Sequence, residues 1–149
     1  MTLSFESAGR PVTVKRFDPD GIRGPTAGYI SGVAPHHGAQ MSFMPEDSTK
    51  PVPQFVDVTW ISFLPGYEAI ADAYQKLPLR EQWVPETEAA YKLEFKKNPV
   101  YTQRVDLTPI LTPELIKKIR ADRDNTQLYL TIMFNNETVS ITAKAQKWR

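Results

Sequence analysis

The two histidines of the chain are adjacent and lie in the stretch Ala34-Pro35-His36-His37-Gly38. Imidazole titrates near neutral pH and binds metals, so the pair suggests a metal site or a general base. Adjacent residues of a strand lie on opposite faces, so one shared metal ion would require His36 and His37 to lie in a loop. Because Pro35 and Gly38 favour a turn, we expect the pair to form the tip of a loop between two strands.

A metal site would need ligands beyond the histidine pair. The nearest carboxylates that follow it are Glu46 and Asp47, and no H-E-x-x-H or H-x-H motif accompanies it. Without cysteines the chain has neither a thiol nucleophile nor cysteine-ligated zinc. It also lacks a G-x-S-x-G elbow and a phosphate-binding glycine loop. The sequence therefore predicts a protein that is not an enzyme, with no catalytic residues, metal ligands or cofactor.

Composition limits the partners that the chain can have. The 149 residues predict a single globular domain, residues 1–149, and 41% are hydrophobic. Eighteen basic and 17 acidic residues nearly cancel, which argues against a nucleic-acid partner because such a partner attracts a clustered positive charge. No apolar run approaches the roughly 18 residues of a transmembrane helix, so we expect no membrane span.

A β-hairpin at the C-terminal end is the clearest structural signal. Apolar residues alternate with polar ones on both sides of Asn135-Asn136, and asparagine tolerates the positive φ of a tight turn. A turn at these two residues predicts that Phe134 pairs with Glu137. It also predicts three further apolar-face pairs and a polar pair on the opposite face: Ile132–Val139, Leu130–Ile141, Leu128–Ala143 and Thr131–Ser140.

Further strands and two helices complete the predicted fold. Residues 54–63 alternate as a strand, with Val56, Val58 and Trp60 on one face. Helical spacing predicts one helix over 66–78 and another from Thr112, a capping residue followed by proline. Residues 86–96 fit a helix or a strand. Weaker strands are predicted over 12–17, 27–33, 39–44 and 101–107. The class is therefore α+β: an antiparallel sheet or sandwich with one or two helices packed on it and a C-terminal hairpin.

Trp83 lies in a charged segment bounded by prolines, residues 79–88. Its indole could fold back as a lid on the core, or it could be an exposed anchor for a protein partner, since tryptophan is enriched at interface hot spots. Trp148, near the C-terminus, has the same two interpretations.

The order of these features resembles small bacterial lipoprotein domains encoded beside type VI secretion effectors. The resemblance lies in "AGYISG", "PVPQFVDVTWISF", "VYTQRVDL" and "LYLTIMFNNETVSI", and covers residues 11–143. Many such domains resemble immunity proteins that neutralise a toxic lipase or other effector. The chain lacks the lipid-bearing cysteine and export signal of that family. We therefore expect a periplasmic protein if a targeting segment, and with it a lipid anchor, has been removed, and otherwise a cytoplasmic one.

The resemblance implies a binding protein that blocks a cognate toxin rather than an enzyme. From their expected exposure, the residues predicted to contact the protein partner are His36, His37, Glu46, Asp47 and Trp83. Two alternatives remain open at this point. One is a small hydrolase or metal-dependent enzyme that uses His36 or His37, and the other is a structural subunit of a secretion or surface assembly.

Overall fold

The computed structural model describes residues 2–24, 28–30, 36–40 and 52–147, and of residues 36–40 it describes the backbone. Within these ranges the chain forms eight strands and four helices, which confirms the predicted α+β class. The strands are β1 (Thr2–Ser7), β2 (Val12–Pro19), β3 (Gly28–Ile30), β4 (His36–Gln40), β5 (Phe55–Ser62), β6 (Val100–Asp106), β7 (Thr126–Asn135) and β8 (Thr138–Lys147). The helices are α1 (Tyr67–Gln75), α2 (Leu79–Gln82), α3 (Pro85–Lys96) and α4 (Pro113–Ala121).

The strands form two four-stranded sheets that pack face to face. The first sheet has the order β4-β1-β7-β8 and the second the order β3-β2-β5-β6. Aromatic pairs cross from one sheet to the other: Phe5 packs edge-on against Phe17 at 5.4 Å, and Trp60 lies 5.3 Å from Phe134. One continuous hydrophobic core therefore fills the space between the sheets.

Strand β1 is the strand that the sequence analysis missed. It pairs in parallel with β7, with Leu3 opposite Leu130 and Phe5 opposite Ile132, in a molecule whose other strand pairs are antiparallel in the described residues. The strand has only two apolar residues, Leu3 and Phe5, and their alternation with polar residues is a weak signal in a six-residue stretch. Both side chains are nonetheless fully buried, because β1 lies inside the first sheet rather than at its edge.

The C-terminal hairpin is confirmed, but its predicted register is wrong by two residues. Asn135 pairs with Thr138, so the turn consists of Asn136 and Glu137. Consequently Thr131 pairs with Thr142 and Met133 with Ser140, and the apolar pairs are Phe134–Val139, Ile132–Ile141, Leu130–Ala143 and Leu128–Ala145. A shift of two residues keeps every side chain on its predicted face, so the alternation could not distinguish the two registers.

Contacts with the rest of the molecule fix the hairpin turn at Asn136, which has a φ of 55°. The indole N–H of Trp60 donates to the Asn136 carbonyl oxygen at 2.9 Å. The backbone N–H of Arg10 donates to Asn136 Oδ1 at 2.9 Å. A β-carbon at Gly9 would lie 2.4 Å from that same oxygen, so a larger residue there would displace the Asn136 side chain.

Helix α4 begins as predicted and closes one end of the core. The Thr112 hydroxyl accepts a hydrogen bond from the Leu115 N–H at 3.3 Å, and Pro113 occupies the first turn. Ile116 and Ile119 are buried in the core between the sheets. None of the helices in the described ranges is long and apolar enough to cross a membrane.

Helices α1, α2 and α3 lie together in the connection between β5 and β6. We call residues 63–99 the helical segment. Gly66, with a φ of 87°, precedes the predicted helix α1, and the ambiguous stretch 86–96 belongs to helix α3. The helical segment has a separate small apolar cluster, built on Ile61, Phe63 and Tyr67, rather than a share of the main core.

Candidate functional site

Most of the residues that the sequence singled out either lie in a different element from the one predicted or fall outside the described residues. His36 and His37 belong to strand β4, opposite Phe5 and Ser4 of β1, and not to the tip of a loop. The prediction of a loop tip was wrong because it took β4 to begin only at residue 39. Glu46, Asp47 and Trp148 lie outside the described residues. No group of three metal-binding side chains occurs among those that the structure describes.

Trp83 follows helix α2 and is 70% exposed, so the interpretation of its indole as a lid on the core is wrong. The neighbouring backbone is held without it. The Tyr74 hydroxyl donates to the Gln82 carbonyl oxygen at 2.9 Å, and the Gln82 side-chain amide donates to the Leu77 carbonyl oxygen at 2.7 Å. Because these hydrogen bonds position the turn, the indole remains available to a partner.

Exposed apolar side chains concentrate in the helical segment. Of the ten large hydrophobic residues that are exposed in the described ranges, the helical segment carries seven, and an eighth, Val100, follows it directly. The seven are Leu64, Ile70, Leu79, Trp83, Val84, Leu93 and Phe95. Single exposed apolar residues are ordinary, whereas their concentration in one segment makes that segment the candidate for an interaction surface.

A few specific contacts hold the helical segment together. The buried Asn98 accepts a hydrogen bond from the Leu64 N–H at 2.9 Å and donates one to the Phe95 carbonyl oxygen at 3.0 Å. It thereby joins the two ends of the segment. Tyr74 of α1 stacks on Tyr91 of α3 with ring centroids 4.2 Å apart, which holds these two helices together.

A cleft of about 470 Å³ opens where the helical segment meets strand β3, and we call it the aromatic cleft. Five aromatic rings line it, together with two carboxylates of helix α1 and two smaller side chains. The aromatic residues are Tyr29, Phe63, Tyr67, Tyr91 and Phe95, and the others are Glu68, Ala71, Asp72 and Gln75. Phe63 and Tyr67 stack at 5.1 Å, whereas Phe95 meets Tyr67 edge-on at 6.1 Å.

Four polar side chains of the aromatic cleft are paired with one another. The Tyr29 hydroxyl donates to Glu68, and the Tyr67 hydroxyl donates to that of Tyr91 at 2.9 Å. Partial burial, the larger cause, and the hydrogen bond to Glu68 raise the pKa of Tyr29 to about 12. Partial burial and the bond to Tyr91 raise the pKa of Tyr67 as well. Both phenols therefore stay protonated at neutral pH and serve as hydrogen-bond donors rather than bases.

The most strongly paired charges lie elsewhere, on the outer face of the second sheet. Arg104 donates to both carboxylate oxygens of Asp57, at 2.8 and 3.1 Å, and Arg16 lies 3.7 Å from the same carboxylate. The hydrogen bond from Arg104 lowers the pKa of Asp57. The Arg104 guanidinium also lies 4.0 Å from the centre of the Phe55 ring. Each group has a partner, so this cluster stabilises the pairing of β5 with β2 and β6.

Comparisons of the chain with family models, with curated proteins and with solved structures found no match.

Of the candidate functional residues, the sequence identified Trp83 but not the aromatic cleft. Tyr67 lies within the helix predicted over 66–78, and Tyr91 and Phe95 are four residues apart, the spacing of one helix face. If residues 86–96 are interpreted as a helix, this spacing indicates that Tyr91 and Phe95 lie on the same helix face. The contribution of Tyr29 had no sequence signal, because it comes from a strand more than thirty residues before helix α1.

Proposed function

We propose that this chain is a non-enzymatic binding protein that contacts a protein partner through its helical segment. The observation that carries the proposal is the concentration of exposed large apolar residues there. Burying one such side chain contributes about 1.5–3 kcal/mol, so several of them can support a stable complex. Trp83, exposed and next to a turn fixed by hydrogen bonds, is the best candidate for the central anchor.

The sandwich supports this proposal as a rigid scaffold. Both ends of the helical segment join adjacent antiparallel strands, β5 and β6, whose pairing extends from Phe55–Asp106 to Ile61–Val100. The segment therefore leaves and re-enters the sheet at neighbouring points. A surface that is largely preformed loses less conformational entropy on binding.

The nature of the partner follows from the resemblance to type VI immunity proteins. Under that resemblance the partner is a toxic bacterial effector, a lipase or another enzyme, that the chain blocks by covering its active site or substrate entry. The encounter would take place in the periplasm if a targeting segment has been removed, and otherwise in the cytoplasm. His36, His37, Glu46 and Asp47 stay predicted contacts alongside Trp83.

The test is whether the chain binds the effector encoded beside its gene and protects cells from that effector. We expect Trp83→Ala to weaken the complex by about 30-fold, roughly 2 kcal/mol, and Leu93→Ala to weaken it less. Because both side chains are largely exposed, unfolding free energies should change by no more than about 0.5 kcal/mol. Calorimetric titration measures the affinity, and growth of cells that express the toxin measures the protection.

Ile22→Ala is the matched control, since Ile22 is an exposed large apolar residue outside the helical segment. It should leave affinity and protection unchanged. Equal losses from Ile22→Ala and Trp83→Ala would contradict a contact surface on the helical segment, and failure to bind any neighbouring effector would contradict the toxin assignment. Concentration-dependent self-association abolished by Trp83→Ala would instead favour a structural subunit.

A further inference from the structure

The aromatic cleft is negatively charged on one wall and aromatic on the others. Its two ionisable carboxylates are Glu68 and Asp72, one turn apart on helix α1, and no lysine or arginine is among its lining residues. Glu68 accepts from the neutral Tyr29 hydroxyl and has no ion pair within the described part of the chain. No lysine or arginine of the described residues therefore neutralises its charge.

Among the described residues, Asp72 has one cationic neighbour, which an incoming group could replace. Lys76 lies 2.8 Å from Asp72, and both side chains of this pair are well exposed. An exposed ion pair within one helix contributes little free energy because water screens it. A second cation arriving over the aromatic rings can consequently compete for the Asp72 carboxylate.

The aromatic rings that line the cleft are inclined to one another at different angles. Phe63 and Tyr67 are nearly parallel, with 10° between their planes, whereas Phe95 is inclined to Tyr67 by 67° and Tyr29 to Phe63 by 46°. The face of an aromatic ring carries partial negative charge and attracts ammonium and guanidinium groups. Ring faces and carboxylates thus favour the same kind of occupant, an organic cation with an apolar stem.

We propose that the aromatic cleft binds the cationic end of a lysine or arginine side chain from the protein partner. This inference rests on the proposed function and specifies the chemistry of the partner. Phe95 belongs both to the cleft and to the exposed apolar residues of the helical segment, so a protein on that surface can extend a side chain into the cleft. Ala71 and the ring edges supply apolar contacts for its aliphatic stem.

The first test uses capped amino acids and needs no partner. N-acetyl-lysine N-methylamide should shift the aromatic NMR signals of Tyr29, Tyr67, Tyr91 and Phe95 saturably at concentrations up to about 100 mM, as expected for one weak cation contact. The norleucine analogue, which has the stem without the ammonium group, should bind about tenfold more weakly. Equal shifts by both probes, or none by either, would overturn the proposal. Stronger shifts by choline would also overturn it, in favour of a free quaternary ammonium ligand.

The second test removes the charge of the cleft while keeping its shape. The double variant Glu68→Gln, Asp72→Asn should weaken binding of the lysine probe and of the partner by about tenfold, because it removes both negative charges of the cleft. The shape of the cleft is kept, since glutamine still accepts a hydrogen bond from the Tyr29 hydroxyl. Glu114→Gln combined with Glu137→Gln removes two exposed negative charges outside the helical segment and should change neither affinity. If Trp83→Ala weakens the partner complex but the cleft variant does not, the binding function stands and the cation site is wrong. If the lysine probe binds but no partner does, the cation site stands without the proposed function.

Discussion

Asp57 shows how single side chains stabilise the scaffold beneath the proposed binding surface. It is 7% exposed, lies on the central strand β5, and is held by Arg104 of β6 and Arg16 of β2. Gln103 acts comparably between the sheets, since its amide accepts from the Val139 N–H at 3.2 Å and donates to the Val139 carbonyl oxygen at 3.1 Å. Such paired polar residues join β6 to its neighbours on either side.

The lowered pKa of Asp57 predicts a contribution to stability that disappears in acid. The folded-state pKa lies below the ordinary value of 3.8, so the contribution is fully present above that value and is lost as the pH falls through the folded-state pKa. We expect Asp57→Asn to reduce the free energy of unfolding at pH 7 and to flatten its decline in acid. Urea unfolding at a series of pH values from neutral to below 3.8 measures this.

Asp124→Asn is the control for the Asp57 variant, because Asp124 is an exposed carboxylate in the turn after helix α4. It should leave the acid limb of the stability curve as in the unsubstituted chain. An unfolding free energy whose acid dependence is the same with and without Asp57 would show that the pair with Arg104 is not formed in solution.

At the scale of elements, apolar alternation and helix capping predicted the strands and helices whose signals come from residues close together in the sequence. Strand β5, helix α4 and the two strands of the hairpin follow from periodicity, Thr112 and Pro113. The hairpin register and strand β1 did not follow, because each is decided by contacts distant in sequence, of Asn136 with Trp60 and of Leu3 with Leu130. The aromatic cleft was missed for the same reason.

The helical segment should be the least stable part of the described chain. Helices α2 and α3 have no buried residue, whereas strands β5 and β7 bury most of theirs. We expect amide hydrogens of α3 to exchange at least about a hundredfold faster than those of β5 and β7, because local opening exposes little apolar area. Hydrogen exchange resolved by residue measures the difference. Exchange of α3 only through global unfolding would contradict a separately weak segment.

On the scale of the whole molecule, the chain combines a well-packed sandwich with an under-packed helical segment. The two sheets of the sandwich bury most of their large apolar residues in one hydrophobic core. The helical segment leaves Trp83, Leu93 and Phe95 in contact with solvent, which is costly unless a partner covers them. The well-packed sandwich corresponds to the proposed scaffold, and the under-packed helical segment corresponds to the proposed contact surface.

The central claim, that the helical segment is the contact surface, is tested most directly by hydrogen exchange of the chain alone and in complex with the effector. The prediction is slower exchange on binding in residues 63–99, with the amides of β8 and α4 unchanged. Protection confined to β8, to α4 or to the outer face of the second sheet, with α2 and α3 exchanging as in the free chain, would contradict it.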